Sequence, residues 1–317
     1  MKTFDAAVVG AGPAGTACAG ELKRLGVDTV LLDKADFPRN KLCAGWITPE
    51  VIKDLNLDVE DYPGGMTEFN RIKFHVHGVC IPVMTRQYSI QRFEFDHWLL
   101  SRVKSLFCRH KVTNITEKNN RYIIDDKFCA RYIIGAGGTH CPVYRALFST
   151  SSPRNRKTLI ITMEKEYHTE FTEKDCHLWF FDHRLPGYSW YVPKAGGYLN
   201  IGTGGKALPM NRKGQHIHDH FEALVKKLLK KGWISTPPSH VKGYAYHLRN
   251  SDVRPCMGNA YLTGDAAGLA TRDMGEGIGP AVKSGILAAR SIALGRPYTL
   301  KKIKQYSLPG ILMSRFF

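Results

Sequence analysis

Residues 4–9 (FDAAVV) form a short apolar run that gives way at once to glycine. Ala14, Ala17, Leu22 and Leu25 then recur at helical spacing, so the pattern predicts a buried strand, a tight turn and a helix. A second apolar run, Thr29-Val30-Leu31-Leu32, ends at Asp33 and predicts a neighbouring strand. A helix is expected from about Pro49. Between residues 71 and 90 the period changes to two. Ile72, Phe74 and Val76 alternate with polar positions, as do Val79, Ile81 and Val83, which predicts antiparallel strands with one buried face. Short strands are expected at 108–112 and 122–124. From about 157 to 253 the chain reads as aromatic-bearing strands around one helix, at about 214–231. Residues 260–263 predict a last strand, and 281–294 a last long, alanine-rich helix.

The glycines add chemistry to this pattern. Gly10-Ala11-Gly12-Pro13-Ala14-Gly15 sits between the first strand and the first helix, the context a dinucleotide fingerprint requires. Gly10 permits the turn, Gly12 lets a pyrophosphate come close, and Gly15 lets the helix pack. Pro13 suits a first helical position, where no N–H is needed. Asp33 follows at roughly the 20-residue spacing at which a carboxylate binds a ribose hydroxyl, with Lys34 beside it. At the far end of the chain, Gly264-Asp265-Ala266-Ala267-Gly268 follows the last strand and leads through Gly277 and Ile278 into the last helix. An NAD site is completed within one sequential nucleotide-binding unit. Two separated glycine motifs serving one ligand fit FAD better, the second holding its ribityl and flavin end. A helix N-terminus at the flavin's pyrimidine edge would stabilise negative charge there.

Composition narrows the class. The 317 residues are 43% hydrophobic and 23% charged, ordinary for a globular protein. No basic-then-apolar leader precedes the first strand, and no apolar run reaches the length of a membrane span. Cysteines 18, 43, 80, 108, 129, 141, 176 and 256 are scattered without a CxxC pair, which suggests neither zinc nor a disulfide framework. A cytoplasmic location is expected. The net charge of +17 carries no nucleic-acid motif with it. Lys226, Lys227, Lys230 and Lys231 cluster on the helix whose apolar stripe is Phe221, Leu224, Val225, Leu228 and Leu229. They read as a solvated face, with peripheral contact to a membrane surface as the second reading. His216, His218 and His220, and Cys176, His177 and His183, offer too few ligands at too loose a spacing for a metal, so none is expected.

Several segments together resemble the FAD-dependent family of aromatic hydroxylases, flavin halogenases and geranylgeranyl reductases, over nearly the whole chain. Lys41-Leu42-Cys43-Ala44-Gly45 is similar to the lysine–cysteine–glycine segment of geranylgeranyl reductases. Gln91-Arg92-Phe93-Glu94-Phe95-Asp96 resembles the family's arginine–x–x–phenylalanine–aspartate segment. Gly135-Ala136-Gly137-Gly138 resembles glycine–alanine–aspartate–glycine, with Gly137 in the aspartate's place. Gly187-Tyr188-Ser189-Trp190-Tyr191-Val192-Pro193 resembles the tyrosine–x–tryptophan–x–phenylalanine–proline motif of geranylgeranyl reductases, with Val192 for phenylalanine. The resemblance implies a Rossmann-like α/β FAD-binding domain (residues 1–70, 91–150 and 254–317). Inserted in it is a mainly antiparallel β-sheet substrate domain (71–90 and 151–253), in the aromatic hydroxylase-like architecture. It also implies that Cys43 and Ala44 lie by the isoalloxazine, that Arg92, Ala136 and Gly137 contact FAD, and that Gly137 makes hydroxylase-style use of NADPH doubtful. The many relatives with a longer C-terminal region leave the closure of a substrate cavity open.

The function implied is hydride transfer from reduced FAD to a C=C bond of a prenyl or lipid substrate lodged against Tyr188 and Trp190. Those two rings lie on one face of a strand. Cys43 or a bound water is the candidate proton donor. The electron donor is NADPH or a redox protein. An FAD monooxygenase of a hydrophobic substrate is the alternative enzyme, and a lipid- or prenyl-binding flavoprotein the non-enzyme reading. A halogenase fits less well, because its catalytic lysine has no counterpart that can be placed.

Overall fold

Successive strand ends meet where the glycine motifs lie. The computed structural model describes residues 1–313. In chain order its first elements are β1 (Lys2–Val9), α1 (Pro13–Arg24), β2 (Thr29–Asp33), β3 (Trp46–Ile47), α2 (Pro49–Asp54), β4 (Met66–Val76), β5 (Val79–Ile90), α3 (Arg92–Ser101), β6 (Leu106–Arg109), β7 (Ile115–Lys118), β8 (Arg121–Ile124) and β9 (Phe128–Gly135). There follow β10 (Leu159–His168), β11 (Cys176–Phe180), β12 (Gly187–Pro193), β13 (Tyr198–Lys206), α4 (Ala207–Arg212), α5 (Ile217–Lys230), β14 (Lys242–His247), β15 (Cys256–Met257), β16 (Ala260–Leu262), α6 (Ile278–Leu294) and α7 (Leu308–Met313). The chain divides into two units.

The first unit comprises residues 1–39, 95–155 and 247–307. Its sheet runs β15-β16-β9-β1-β2-β6, parallel along β16-β9-β1-β2-β6 and antiparallel between β15 and β16, with β7 and β8 appended to β9 as an antiparallel meander. Both faces are covered, which explains the unbroken apolar runs. Ala6, Val8, Leu31 and Ile134 pack with α1 and α6 on one face. Ala7, Val9, Val30, Leu32 and Ile133 pack with Tyr122, Ile124, Phe128 and Phe148 on the other. The buried line of α1 is Ala14, Cys18 and Leu22. The expected Ala17 and Leu25 are only half-buried, because the helix turns its i, i+4 row toward α6. A parallel, doubly covered sheet in one unit and a mainly antiparallel sheet in the other make up the expected α/β class, with the Rossmann-like architecture in the first.

The second unit comprises 40–94, 156–246 and 308–313 among the described residues. Its sheet runs β14-β10-β13-β12-β11-β4-β5-β3, all pairings along β10-β13-β12-β11 and β4-β5-β3 being antiparallel and β11–β4 parallel. Residues 40–70, and α7, go with this sheet rather than with the first. β3 and β4 both hydrogen-bond to β5, and α7 packs on it. Residues 314–317, at the end of the expected cofactor domain, lie outside the described residues. Helix α5 lays Phe221, Leu224 and Leu228 on the face made by Trp179, Tyr191, Leu199 and Ile201. Leu229, expected in that stripe, is instead exposed. Nor is the lysine row wholly solvated. Lys227 pairs with Asp182 and lies over the Trp179 ring, and Lys231 lies over Trp233. Among the described residues no helix is long and apolar enough to cross a membrane.

Candidate functional site

The first unit builds a cradle from backbone. Gly10 N–H donates to the Leu32 carbonyl at 2.7 Å and Ala136 N–H to Val9 at 2.8 Å, so the ends of β2, β1 and β9 meet at one edge. Gly10 has φ +112°, and a Cβ there would stand 2.5 Å from the Ala136 carbonyl carbon. A Cβ on Gly15 would stand 1.7 Å from the Gly10 oxygen, so Gly15 seats α1 on the turn itself. Gly12 differs. Its Cβ would meet only the Arg39 guanidinium, at 3.4 Å, and its outer side is otherwise open. Gly12 is also the N-cap of α1, which has Pro13 at its start, no side-chain cap and no acidic residue in its first turn. The amides of Ala14 and Gly15 and the helix dipole are therefore left for an anion. Asp33 accepts from Ala11 N–H at 2.7 Å and from Ala35 N–H at 2.9 Å, which fixes its carboxylate at the turn; Lys34 is exposed.

The distant glycine motif joins this cradle. Thr263 donates from N–H and hydroxyl to the Gly135 carbonyl, at 3.0 and 3.2 Å. Gly264 has φ +54°, donates its N–H to Ser284 Oγ at 2.9 Å, and would carry a Cβ 3.3 Å from that of Ala14. Asp265 Oδ1 lies 3.4 Å from where a Gly277 Cβ would stand, so the carboxylate borders the start of α6 at Ile278. Arg154 ties the motif down, donating to the Ala266 carbonyl at 3.0 Å and to Thr139. A Cβ on Gly137 would lie 3.2 Å from Cys141 Cα, so the turn closes over the place of a side chain. The end of α6 is not left open. Glu276 accepts from Gly279 N–H at 2.8 Å and from Ser307 Oγ at 3.1 Å, so a carboxylate already offsets part of the helix field.

In the second unit, Tyr188 and Trp190 do share a face of β12. Their ring centroids are 5.9 Å apart, and the row continues through Phe180, 5.1 Å from Tyr188, to Phe74, stacked on Phe180 at 5.7 Å. This is the face opposite the one α5 covers. Trp190 lies across β13, since a Cβ on Gly202 would stand 2.2 Å from its ring. The indole N–H donates to Asn200 Oδ1 at 2.7 Å, and Asn200 Nδ2 donates to the Cys43 carbonyl at 3.3 Å. The loop of Cys43 and Ala44 is thereby tied to the aromatic face. The Cys43 sulfur accepts from Gly45 N–H at 3.4 Å. Gly45 has φ +71°, and its Cβ would be 2.0 Å from the Ile90 carbonyl oxygen. Arg92 is buried at the start of α3.

Other groups carry chemistry that motif reading passed over. Arg39 flanks Gly12 and pairs at 3.2 Å with Asp96, which is fully buried. A lone arginine after a proline carries no sequence pattern, whereas Asp96 lies in the arginine–x–x–phenylalanine–aspartate-like segment, a signal that marks it. Buried Lys194 pairs with Glu166 and donates to the Ile90 carbonyl at 2.7 Å. Buried Glu164, on the same face of β10, has its carboxyl pKa pushed up to about 7 by loss of solvent. The histidines resolve into structure. His75 and His177 share a hydrogen bond at 2.8 Å, and burial drives His177 down to about 4. Among the described residues no three His, Cys, Asp or Glu converge on a metal position.

Comparison with known proteins agrees with this geometry. The FAD binding domain family matches residues 3–53. The chain is 26% identical to the menaquinone reductase of Mycolicibacterium smegmatis, over 92% of this chain and 76% of that protein. It is 25% identical to the geranylgeranyl diphosphate reductase of Rhodobacter capsulatus, over 94% and 78%. A geranylgeranyl bacteriochlorophyll reductase-like structure from Thermoplasma acidophilum superposes with a TM-score of 0.81 at 18% identity, covering 93% of this chain and 79% of that one. A flavin-dependent brominase shares the fold at a TM-score of 0.73 and 16% identity, covering 94% and 81%.

Proposed function

We propose that the chain is an FAD-dependent oxidoreductase akin to the geranylgeranyl reductases it resembles, and that it reduces C=C bonds of a prenyl or lipid substrate. The observation that carries this reading is the aromatic row Phe74, Phe180, Tyr188 and Trp190 on the face of the second sheet that α5 leaves uncovered. Such a row offers an extended apolar strip suited to an isoprenoid chain, and ring faces that stabilise cation-like character at an alkene.

The residues present fit FAD. Gly12, Ala14 and Gly15 would take its pyrophosphate at the start of α1, with Arg39 supplying charge. Asp33 would take a ribose hydroxyl, and Ala136, Gly137, Gly264, Asp265, Gly277 and Ile278 would line its other end. Cys43, Ala44 and Arg92 are further candidates for contact with it. When bound and reduced, FAD supplies hydride. The protein's own part is to hold the chain against Tyr188 and Trp190, keep water from the alkene, and provide a proton. Because Glu276 partly offsets the α6 field, stabilisation of a reduced, negatively charged flavin rests less on that helix end than its position suggests.

The deciding experiment is anaerobic photoreduction of the FAD-loaded protein, followed by mixing with geranylgeranyl diphosphate. Reoxidation of the flavin with appearance of a dihydro product in the mass spectrum supports the proposal. Reoxidation by oxygen alone, with a hydroxylated product, would place the protein among monooxygenases. No turnover, with a prenyl lipid copurifying, would make it a binding flavoprotein.

A further inference from the structure

We propose that Glu164 is the proton donor for alkene reduction, an assignment that rests on the prenyl-reductase reading above. Glu164 sits on β10 opposite Gly202 of β13, which in turn pairs with Trp190 of β12. Gly202 contributes no side chain between its neighbours. A Cβ there would stand 2.2 Å from the Trp190 ring and 2.7 Å from Glu164 Cβ, so the carboxyl-bearing chain stands beside the indole. Glu164 is 3% exposed, and no described residue hydrogen-bonds its carboxyl. Two residues on, Glu166 faces the same way and takes the buried lysine Lys194, which also donates to the Ile90 carbonyl.

Charge balance then fixes the state of Glu164. Lys194 is already paired with Glu166, so the buried Glu164 carboxyl holds its proton up to near neutrality. Loss of solvent is the main cause of its raised pKa, and Glu166 adds to it. Lys194, Lys41 and Arg92 oppose the shift and bring the value back to about 7. Those three cations, from the end of β12, the 40–45 loop and the start of α3, would stabilise the carboxylate once the proton has left. An acid poised near neutrality is what general acid catalysis favours.

The step balances. The Glu164 O–H bond breaks and its proton forms a C–H bond at one alkene carbon, using the π electron pair. Bound, reduced FAD would supply the hydride, with its electron pair, for the other carbon and so take up the oxidation. Glu164 is left as carboxylate and regains a proton from water. Trp190, whose ring stands beside the Glu164 side chain at Gly202, would stabilise the carbon that becomes electron-poor.

The test uses FAD-loaded, photoreduced protein and geranylgeranyl diphosphate, with Glu164→Gln and Glu164→Asp beside the wild type. Glu164→Gln should retain FAD and bind the substrate with unchanged affinity, while single-turnover reoxidation falls by about 10²-fold or more; Glu164→Asp should recover part of the rate. In the wild type, the infrared carbonyl band of a protonated carboxylic acid should titrate near neutrality and vanish in Glu164→Gln. The reoxidation rate should fall along the same curve. A Glu164→Gln rate within a few-fold of wild type overturns the assignment while the reductase reading stands. So does a wild-type rate whose pH dependence departs from the infrared titration, a result that needs no variant to fold. Wild type that reacts with no prenyl alkene overturns the reductase reading and this assignment with it.

Discussion

Trp190 donates its indole N–H to Asn200 at 2.7 Å, and both residues are buried. Asn200 also holds the Cys43 carbonyl, so one amide couples the aromatic face to the 40–45 loop. Replacing Asn200 by Leu leaves a buried N–H without its acceptor, at about 1–3 kcal/mol. Adding Trp190→Phe removes that orphaned donor and should return much of the loss. Denaturant unfolding of the two single variants and the double variant measures the coupling. Strict additivity would mean that the bond contributes nothing.

The three glycines of the first turn should fail in different ways. Gly12→Asp meets only Arg39, so the apoprotein should fold while FAD occupancy collapses, through both space and charge. Gly10→Ala and Gly15→Ala place a Cβ 2.5 and 1.7 Å from backbone atoms and should lower apoprotein stability directly. Released flavin, quantified after denaturation, and apoprotein melting temperature separate the two classes. Full occupancy in Gly12→Asp would show that the cradle is not the pyrophosphate site.

Stability should respond to pH in two opposed ways. Burial lowers His177 from its ordinary 6.5 to about 4, so the unfolded chain binds more protons in that interval, and stability is lost as pH falls through it. Glu164 is raised from 4.5 to about 7, so the unfolded chain binds fewer protons there, and its share of stability is lost as pH rises through that interval. Melting curves of Glu164→Gln against wild type should diverge as pH rises, in favour of the variant, by on the order of 3 kcal/mol once both intervals are passed. A pH-independent difference would mean that Glu164 titrates normally.

The nucleotide cradle was legible because glycine roles are local. A positive φ at Gly10 and a backbone approach at Gly15 leave their mark within one short turn. The second unit was less so. The alternation of β4 reads cleanly only from Arg71 because a register shift falls between Phe69 and Arg71, which hid residues 66–69 from the same pattern. The parallel pairing of β4 with β11 joins segments about a hundred residues apart, and no local signal encodes it. Glu164 was illegible for a related reason. Along β10 it stands between Met163 and Lys165, where a carboxylate ordinarily reads as outward-facing, and nothing in the local pattern marks it as buried.

Electron supply can be tested at Gly137. In the resembling hydroxylase segment an aspartate stands there, but here a Cβ would already press on Cys141 Cα at 3.2 Å. Stopped-flow absorbance should therefore show NADPH and NADH reducing the flavin far more slowly than dithionite does. Rapid reduction by NADPH that is accelerated by an aromatic substrate would favour the monooxygenase alternative.

Tyr188 rather than Trp190 is the cleaner probe of the substrate face. Trp190 is 6% exposed and lies on Gly202, so Trp190→Ala should cost about 3–5 kcal/mol of stability whatever the ligand. Tyr188 is only half-buried and stands between Phe180 and Trp190 in the aromatic row. Tyr188→Ala should therefore leave FAD content near wild type and lower melting much less than Trp190→Ala does. Affinity for geranylgeranyl diphosphate should still fall by at least tenfold, since removing one ring face from an apolar strip forfeits about 1.5 kcal/mol or more. Tyr188→Phe should bind as the wild type does, because the ring and not the hydroxyl makes the strip. Unchanged affinity in Tyr188→Ala, measured on folded and FAD-loaded protein, would mean that the row is core packing, and the prenyl assignment would then lose the observation that carries it.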